Sequence, residues 1–355
     1  MPETPLRKRI GRRLAPVLLF VLSSAVAVAL AEVIVRVADP HVHDHALPGG
    51  YYIIDGALGW RQRPNHTVTH RTRFFAVTYA TNAWGYRDVT RRERKRPDQT
   101  RVLLLGDSQV LGWGVPQHLR FSDLLEARHP ELEVWNHAVM GYGLDQQLLD
   151  YEQRGSAWAL DAVVLFASPA TLSRTETGYV YRKHKPRFVL DRSGALQLVA
   201  PPPGATRWTT IAYRLLSPWY LPYFLDRRLE AAREILRGTP ARAATATSGQ
   251  EAPVSALTPA LLARAAGVAR VRGHRLLLLA DVPGATLSSL RQACAGNGIR
   301  VVAVEFPGDR TPFIFGPEDP HWNRRGHDWV AELFWEQWRN LLDTPLPEAQ
   351  VYADD

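Results

Sequence analysis

Short apolar runs alternate with stretches of helical spacing along most of this 355-residue chain. The runs at 102–105, 162–167 and 276–280 have the length and composition of buried strands, and the stretches at 144–154 and 258–272 have helical spacing. Strands that alternate with helices in this way form a parallel sheet with helices on both faces. The pattern therefore predicts an α/β domain of three layers.

The alternation is interrupted between residues 173 and 256. This segment contains Pro201-Pro-Pro203 and ends in a tract rich in Ala, Thr, Ser and Gly, both of which are typical of loops or linkers. An aromatic cluster at 217–224 precedes a helix predicted over Leu225–Arg237, and it is compatible with a ligand pocket, a packed core or a membrane surface. We interpret 173–256 as an insertion into one α/β domain at 101–345, because an ordinary connection is far shorter.

The N-terminal segment has the pattern of a membrane helix. Apolar residues run from Leu14 to Ala31 and continue as Val33–Val35, with Glu32 between them. Five basic residues precede the run: Arg7, Lys8, Arg9, Arg12 and Arg13. The length is near the minimum for spanning a bilayer, and the basic flank keeps the N-terminus in the cytoplasm and exports the rest. A cleaved signal peptide ending at Ala29-Leu-Ala31 is the alternative, and the apolar residues beyond Ala31 favour an uncleaved anchor.

These features divide the chain into three predicted parts. Residues 1–40 form a basic tail and transmembrane anchor, 41–100 a juxtamembrane linker and N-terminal extension, and 101–345 the α/β domain. The net charge of +8 does not indicate nucleic-acid binding, because its two basic clusters lack the interleaved aromatic residues of a base-stacking surface. The single cysteine, Cys294, excludes a disulfide within the chain.

Ser108 follows the first predicted strand of the domain, in Gly106-Asp107-Ser108. It is therefore expected at the carboxyl edge of the sheet, where ligands bind in open parallel sheets. A serine hydroxyl needs a base within hydrogen-bond reach to act as a nucleophile. His321 is predicted in a loop at the same edge, with Asp319 two residues and Glu318 three residues before it. Such a set is compatible with a catalytic triad, which is recognised by geometry and needs no metal or organic cofactor.

Seven short motifs occur in order between residues 57 and 342. They are Leu58-Gly-Trp-Arg61 with Pro64-Asn65, Asn82-Ala-Trp-Gly-Tyr-Arg-Asp88, Leu105-Gly-Asp-Ser108, Gly112-Trp-Gly-Val115, Asn136-His-Ala-Val-Met-Gly-Tyr-Gly143, Asp319-Pro-His-Trp-Asn323 and Gly326-His327. Each is weakly specific alone, but the ordered set resembles the SGNH/GDSL hydrolase superfamily, in particular bacterial members with an N-terminal membrane helix. The resemblance implies a flavodoxin-like three-layer α/β/α sandwich with a central parallel sheet of about five strands.

The resemblance also implies roles for individual residues. Ser108 would be the nucleophile, and the backbone N–H groups of Ser108 and Gly141 would form the oxyanion hole. His321 would be the base. Many members place the acid three residues before the histidine, at Glu318 here, but members with the Asp-x-His-Trp-Asn form place it two before, so we expect Asp319. We interpret His327 as a helix-packing residue.

The third sequence block departs from the family pattern. An Asn-Asp pair normally follows the third strand there, and its asparagine donates to the oxyanion. Ala170 and Thr171 occupy the corresponding positions. Ser168, Thr171 or a polar group of the insertion are the candidate substitutes, and loss of one such donor typically costs about 100- to 1,000-fold in rate.

The implied activity is hydrolysis or transfer of an acyl group from an oxygen ester, without a cofactor. We expect the protein in the bacterial inner membrane, with the α/β domain in the periplasm or outside the cell. The expected partners are the membrane and an acyl (acetyl) ester of a cell-surface glycan. A lipid ester, or a glycan-binding or assembly role with impaired catalysis, remains an alternative. The sequence does not decide between water and a sugar hydroxyl as acceptor.

Overall fold

A computed structural model describes residues 5–44, 50–236 and 254–342 of the chain. The chain divides into two compact units. One unit comprises residues 1–47 and 214–241, and the other comprises residues 48–213 and 242–355. The N-terminal helix belongs to the first unit and the α/β fold to the second.

The described residues contain the following elements in chain order. The helices are α1 (Pro5–Ala38), α2 (Ser108–Leu111), α3 (Phe121–Arg128), α4 (Leu144–Gln153), α5 (Pro169–Thr175), α6 (Ala205–Leu216), α7 (Tyr220–Leu236), α8 (Leu257–Arg272), α9 (Gly284–Ala295) and α10 (Arg324–Leu342). The strands are β1 (Tyr52–Asp55), β2 (Gly59–Gln62), β3 (Thr67–Arg71), β4 (Ala76–Ala80), β5 (Thr100–Leu104), β6 (Leu132–Asn136), β7 (Ala162–Ala167), β8 (Tyr179–Val180), β9 (Lys183–His184), β10 (Arg187–Leu190), β11 (Leu196–Val199), β12 (Arg275–Ala280), β13 (Arg300–Ala303), β14 (Ile314–Gly316) and β15 (Asp319–Trp322).

The central sheet has five parallel strands in the order β6-β5-β7-β12-β13. β5 is the first strand of this sheet along the chain. β6 is added on one side of it, and β7, β12 and β13 are then added on the other side. This is the flavodoxin-like order, in which ligands bind beyond the carboxyl ends of the strands where the direction of addition reverses. The prediction of a three-layer α/β fold with about five parallel strands is confirmed.

Helices cover both faces of this sheet. α3 and α10 pack together, and α4 contacts α8, which in turn contacts α9. The strands are apolar in sequence because both of their faces are covered; every residue of β7 is buried. In α10 the buried residues Val330, Phe334 and Trp338 recur every fourth position, which gives the helix one apolar stripe toward the core.

The insertion after α5 begins with two antiparallel hairpins, β8–β9 and β10–β11, which the sequence analysis did not predict. Ahead of the sheet, the hairpins β1–β2 and β3–β4 account for the short strands expected between residues 51 and 86. The N-terminal extension and the first part of the insertion therefore consist of two-stranded ribbons added to the α/β fold.

The first unit is built on α1, whose stretch Ala15–Ala38 is long and apolar enough to cross a membrane, a test that a signal sequence also passes. α7 packs against α1 and begins at Tyr220, before the predicted start at Leu225. The carboxylate of Glu32 accepts hydrogen bonds from the backbone N–H groups of Tyr220 (2.9 Å) and Leu221 (2.8 Å). Glu32 therefore caps α7, because a helix N-terminus leaves its first N–H groups unpaired and favours negative charge.

Candidate active site

Ser108 is the first residue of α2, directly beyond the carboxyl end of β5, and its side chain is buried. The preceding Asp107 fixes this turn. One of its carboxylate oxygens accepts the Gln109 backbone N–H (2.9 Å), and the other pairs with the Arg174 guanidinium (2.9 Å). Asp107 therefore stabilises the turn that presents Ser108.

His321 lies on β15, which pairs antiparallel with β14. The sequence analysis placed His321 in a loop; that expectation is wrong because Ile314 pairs with Trp322 and Gly316 with Asp319, which makes the segment a hairpin. The Nε2 atom of His321 is 2.8 Å from Ser108 Oγ. The hairpin thus brings the imidazole within hydrogen-bond reach of the serine hydroxyl from the far end of the chain.

Asp319 lies against the other side of the imidazole. Its Oδ1 is 2.5 Å from His321 Nδ1, and its Oδ2 accepts the indole N–H of Trp113 (3.0 Å). Burial alone would raise the pKa of Asp319, but the His321 ring and these hydrogen bonds lower it to about 2. An ionised carboxylate can only accept, so Nδ1 carries a proton toward Asp319, and in the neutral form of the ring Nε2 can accept from the Ser108 hydroxyl.

Glu318, the other acid considered for this position, points elsewhere. Its side chain is 63% exposed and pairs with Arg73 at 2.8 Å. The structure therefore brings together Ser108, His321 and Asp319, with Glu318 outside this set.

Two backbone N–H groups at the site are unused. Neither the Ser108 nor the Gly141 N–H donates to another atom of the described residues. The Val139 N–H donates to the Gly106 carbonyl (3.0 Å), which ties the Gly141 loop to the serine turn. Gly141 has φ +83°, and a Cβ atom there would lie 2.7 Å from Cε2 of Tyr181. Glycine is therefore required at 141 both by its backbone conformation and by its surroundings.

The positions considered for a third oxyanion donor lie at the start of α5. Ser168 caps this helix: its Oγ accepts the Thr171 N–H (3.2 Å). The Thr171 hydroxyl accepts the Ser168 N–H (2.6 Å) and donates to the Ser168 carbonyl (2.9 Å). The hydroxyl proton of Thr171 is donated to the Ser168 carbonyl, so this side chain cannot also donate a hydrogen bond to an oxyanion. Ala170 has no polar side chain.

Two residues that the sequence analysis assigned no role hold the base in place. Trp113 stacks on the His321 ring, with 5.1 Å between centroids, and donates to Asp319. Gln109 binds both neighbours of His321: its Nε2 donates to the Pro320 carbonyl (3.3 Å) and its Oε1 accepts the Trp322 N–H (2.9 Å). Trp113 lies in the Gly-Trp-Gly motif, which was a usable signal, whereas Gln109 is marked only by its place beside the serine.

The tip of the β8–β9 hairpin lies beside the Gly141 loop. Tyr181 and Arg182 have φ values of +48° and +60°, as in the tight turns that join antiparallel strands. The Tyr181 hydroxyl accepts a hydrogen bond from Arg174 (2.9 Å), whose other amino group pairs with Asp107. Arg174 thereby connects the turn that carries Ser108 to the hairpin of the insertion.

The same hairpin carries a buried lysine. The ammonium group of Lys183 lies among four aromatic rings at 4.9–5.9 Å from their centroids, those of Tyr52, Trp60, Tyr181 and Tyr213. It also donates to the Tyr181 carbonyl (3.3 Å). Burial, with a smaller contribution from the positive charge of Arg182, lowers the pKa of Lys183 to about 7.

His327 is fully buried. Its Nδ1 accepts the Phe121 N–H (3.3 Å), and burial lowers its pKa to about 3. A neutral imidazole packed against Phe121 fits the interpretation of His327 as a packing residue. Within the residues that the structure describes, no three His, Cys, Asp or Glu side chains are grouped closely enough to hold a metal ion.

No protein-family model and no curated protein matches the chain. Solved structures do match. A member of the lipolytic protein G-D-S-L family from Veillonella parvula is 13% identical, with a TM-score of 0.37, and the match covers 68% of this chain and 98% of that one. A psychrotrophic esterase from a Pseudoalteromonas species is 10% identical (TM-score 0.40, covering 69% and 100%). A GDSL-like lipase from Bacteroides thetaiotaomicron is 11% identical (TM-score 0.37, covering 70% and 92%).

At 10–13% identity and TM-scores of 0.37–0.40, these likenesses assign neither a family nor an activity to the chain.

Proposed function

We propose that the chain, as a member of the SGNH/GDSL hydrolase superfamily, is a serine-dependent ester hydrolase or O-acyltransferase with Ser108 as its nucleophile. The observation that carries this proposal is the continuous chain of contacts from Ser108 Oγ through His321 to Asp319, at 2.8 and 2.5 Å. Spacing of this kind allows a histidine to act as general base toward a serine hydroxyl.

In the first half of the proposed reaction, Ser108 Oγ attacks the ester carbonyl carbon and its proton passes to His321 Nε2. The carbonyl electrons move to oxygen, and the resulting oxyanion accepts hydrogen bonds from the Ser108 and Gly141 N–H groups, neither of which donates to another of the described residues. Asp319 stabilises the imidazolium. The intermediate collapses, the C–O bond to the alcohol breaks, and the leaving oxygen takes the proton from Nε2.

In the second half, an acceptor hydroxyl loses its proton to Nε2 and attacks the acyl carbon. Collapse of the second intermediate breaks the bond to Ser108 Oγ, which regains the proton. Water as acceptor gives an esterase, and a sugar hydroxyl gives an O-acyltransferase. Each proton and bond is accounted for by Ser108, His321, the ester and the acceptor.

The substrate class that we propose is an acyl, for example acetyl, ester of a cell-surface glycan. α1 would anchor the chain in the membrane with the α/β unit outside the cytoplasm, since the basic residues precede the apolar stretch. The exposed side chain of Tyr181, which Arg174 connects to the serine turn, supplies a polar group suited to a hydroxyl-rich ligand.

A second candidate is a glycan-binding or assembly protein with impaired catalysis. It is favoured by the third block, where Ala170 has no polar side chain and the Thr171 hydroxyl is engaged in the cap of α5. The intact contact between Ser108 and His321 opposes it.

A fluorophosphonate probe on the full-length protein tests the nucleophile. We expect labelling of the wild type, loss of labelling in Ser108→Ala, and wild-type labelling in Ser289→Ala, whose exposed serine lies on α9. An unlabelled wild type would reject the hydrolase and favour the second candidate. Labelling that survives Ser108→Ala would reject the assignment of the nucleophile.

The acceptor can be identified with the same protein. With p-nitrophenyl acetate as donor and chito-oligosaccharides as acceptor, mass spectrometry distinguishes free acetate from an acetylated sugar. Acetylated sugar that is absent in Ser108→Ala indicates an acyltransferase, whereas acetate alone indicates an esterase.

A further inference from the structure

The first unit has an apolar surface next to the membrane helix. Among the residues of 215–232 whose side chains the structure describes, the exposed large apolar ones are Leu215, Leu216, Trp219, Leu225 and Leu229. Leu225 and Leu229 are one helical turn apart on α7 and are 49% and 54% exposed. We call these five residues the apolar face. Exposed apolar residues grouped in this way commonly mark a contact with a membrane or another molecule.

The depth of Glu32 in α1 fixes where this face lies. At about 1.5 Å per residue, Glu32 is about 26 Å along the helix from Ala15, the first residue of the apolar stretch, and Arg36 is about 32 Å along it. A bilayer has a hydrocarbon core of about 30 Å. With Ala15 at the inner boundary of that core, Glu32 lies about one helical turn inside the outer boundary and Arg36 lies near that boundary.

The start of α7 is held at the same depth. Glu32 accepts hydrogen bonds from the backbone N–H groups of Tyr220 and Leu221. The Arg36 guanidinium donates to the Pro218 carbonyl (3.3 Å) and lies 4.8 Å from the centroid of the Tyr220 ring. Glu32 itself is buried by these contacts. A carboxylate at this depth is tolerated only when it is shielded and paired, and both conditions are met by the beginning of α7.

From this point α7 runs along the segment that leaves the membrane. Arg227 lies 3.8 Å from Asp39. The His43 ring stacks on that of Tyr220, with 4.4 Å between centroids, and is tilted against that of Tyr223 at 4.3 Å. From Tyr220 beside Glu32 to Arg227 beside Asp39, α7 follows the chain outward, and the residues after Asp39 turn back, so that His43 lies at the start of α7. Tryptophan and tyrosine are enriched at the level of the lipid headgroups, and arginine interacts there with phosphate.

We propose that the apolar face of residues 215–229 lies in the outer leaflet of the bilayer that α1 spans, so that the insertion contributes a second, non-spanning membrane element. The partner is a lipid surface: the upper acyl chains contact Trp219, whereas Leu225 and Leu229, about 8 and 14 Å farther out along α7 than Tyr220, lie at the level of the headgroups, where phosphate groups are near the arginines. The inference rests on the proposed anchoring by α1.

Site-directed fluorescence on the full-length chain tests this proposal. Cys294 is the only cysteine, is buried, and has a pKa raised by burial to about 12, so the wild type provides the background of labelling. Leu225→Cys and Leu229→Cys would each carry a nitrobenzoxadiazole label. Val271→Cys on α8, where the native side chain is 85% exposed, is the matched control. Each protein is reconstituted in phosphatidylethanolamine–phosphatidylglycerol vesicles with or without a lipid that carries a nitroxide near the top of its acyl chain.

We expect the nitroxide to quench the labels at 225 and 229 by about twofold or more, because an interfacial element is buried about 5–10 Å into the headgroup and acyl boundary. The labels at 225 and 229 should be quenched more strongly than the label at 271, a position that the proposal does not place in the bilayer. Flotation of the vesicles, which requires only the anchor, is scored separately. Protein that does not float would reject the anchoring, whereas protein that floats with unquenched labels at 225 and 229 would reject the apolar face as a lipid contact. A disulfide-linked dimer of unlabelled Leu225→Cys, together with absent quenching, would assign this face to a second copy of the chain.

Discussion

The indole N–H of Trp113 donates to Asp319 Oδ2, the carboxylate oxygen that is not bound to His321 Nδ1. Each oxygen of the carboxylate thus has its own donor, and the plane of the carboxylate is fixed relative to the imidazole. A hydrogen bond to a charged group contributes about 1.5–3 kcal/mol.

Trp113→Phe should therefore lower kcat by about 10- to 100-fold, the range that corresponds to this hydrogen-bond energy. KM should change little, because the indole N–H contacts no substrate in the proposed reaction. Steady-state hydrolysis of p-nitrophenyl acetate measures both constants. Trp329→Phe, which removes an indole hydrogen bond to the Glu305 carbonyl, is the control and should retain wild-type kcat. Equal losses in the two variants would contradict the positioning role of Trp113.

Asp319→Asn should reduce kcat by about 10⁴-fold, because an amide favours the wrong imidazole tautomer and cannot stabilise the imidazolium. Glu318→Gln, at the exposed neighbouring acid, should retain activity within about twofold, since only a surface ion pair with Arg73 is lost. Rates of fluorophosphonate labelling provide a second measurement. The opposite ranking of the two variants would transfer the acid role to Glu318.

Gly141→Ala should lower kcat by about 100- to 1,000-fold, the usual cost of losing one oxyanion donor. The new methyl group meets Tyr181, and alanine disfavours a φ of +83°, so the loop must move and carry the 141 N–H with it. Gly267→Ala on α8 has open space around it and is the control. Wild-type activity in Gly141→Ala would remove Gly141 from the proposed oxyanion hole.

Lys183→Met should change how thermal stability depends on pH. The unfolded chain keeps a proton on this lysine up to pH ~10.4, whereas the folded chain releases it near pH 7, where its pKa lies. The folded state is therefore favoured as pH rises from about 7 to about 10, by up to about 1.4 kcal/mol per pH unit, and the full cost of burying the charge applies below pH 7.

Methionine is of similar volume and does not titrate, so the variant should gain stability at pH 7 relative to the wild type and lose that advantage by pH 10. Tm values of the detergent-solubilised protein at several pH values measure the difference. Parallel curves for the two proteins would show that Lys183 stays protonated in the folded state over this range.

The sheet was predictable because its strands are apolar on both faces and alternate with helices. Both features can be read from neighbouring residues along the sequence. The position of Ser108 followed from the same pattern, since a residue just beyond β5 must lie at the ligand-binding edge of the sheet. Residue spacing alone did not separate Asp319 from Glu318. The pairing of β14 with β15 buries the former beside His321 and leaves the latter in solvent.

Other parts of the structure were not accessible to sequence reasoning. Gln109 reaches partners more than 200 positions away along the chain, and no local pattern reports such contacts. The β8–β9 hairpin lacks the Asn-Gly or Asp-Gly pair that usually marks a tight turn, because Tyr181 and Arg182 occupy the positions with positive φ. The start of α7 depends on Glu32 of α1, a capping group from a distant part of the chain.

Gln109 has a mechanical consequence for the reacting pair. It is covalently joined to Ser108, and its amide binds the peptide groups on either side of His321. The β14–β15 hairpin and the serine turn are therefore joined directly, by Gln109 and also by Trp113. The reacting distance depends on these two short connections and not on the strands and loops between residues 108 and 321.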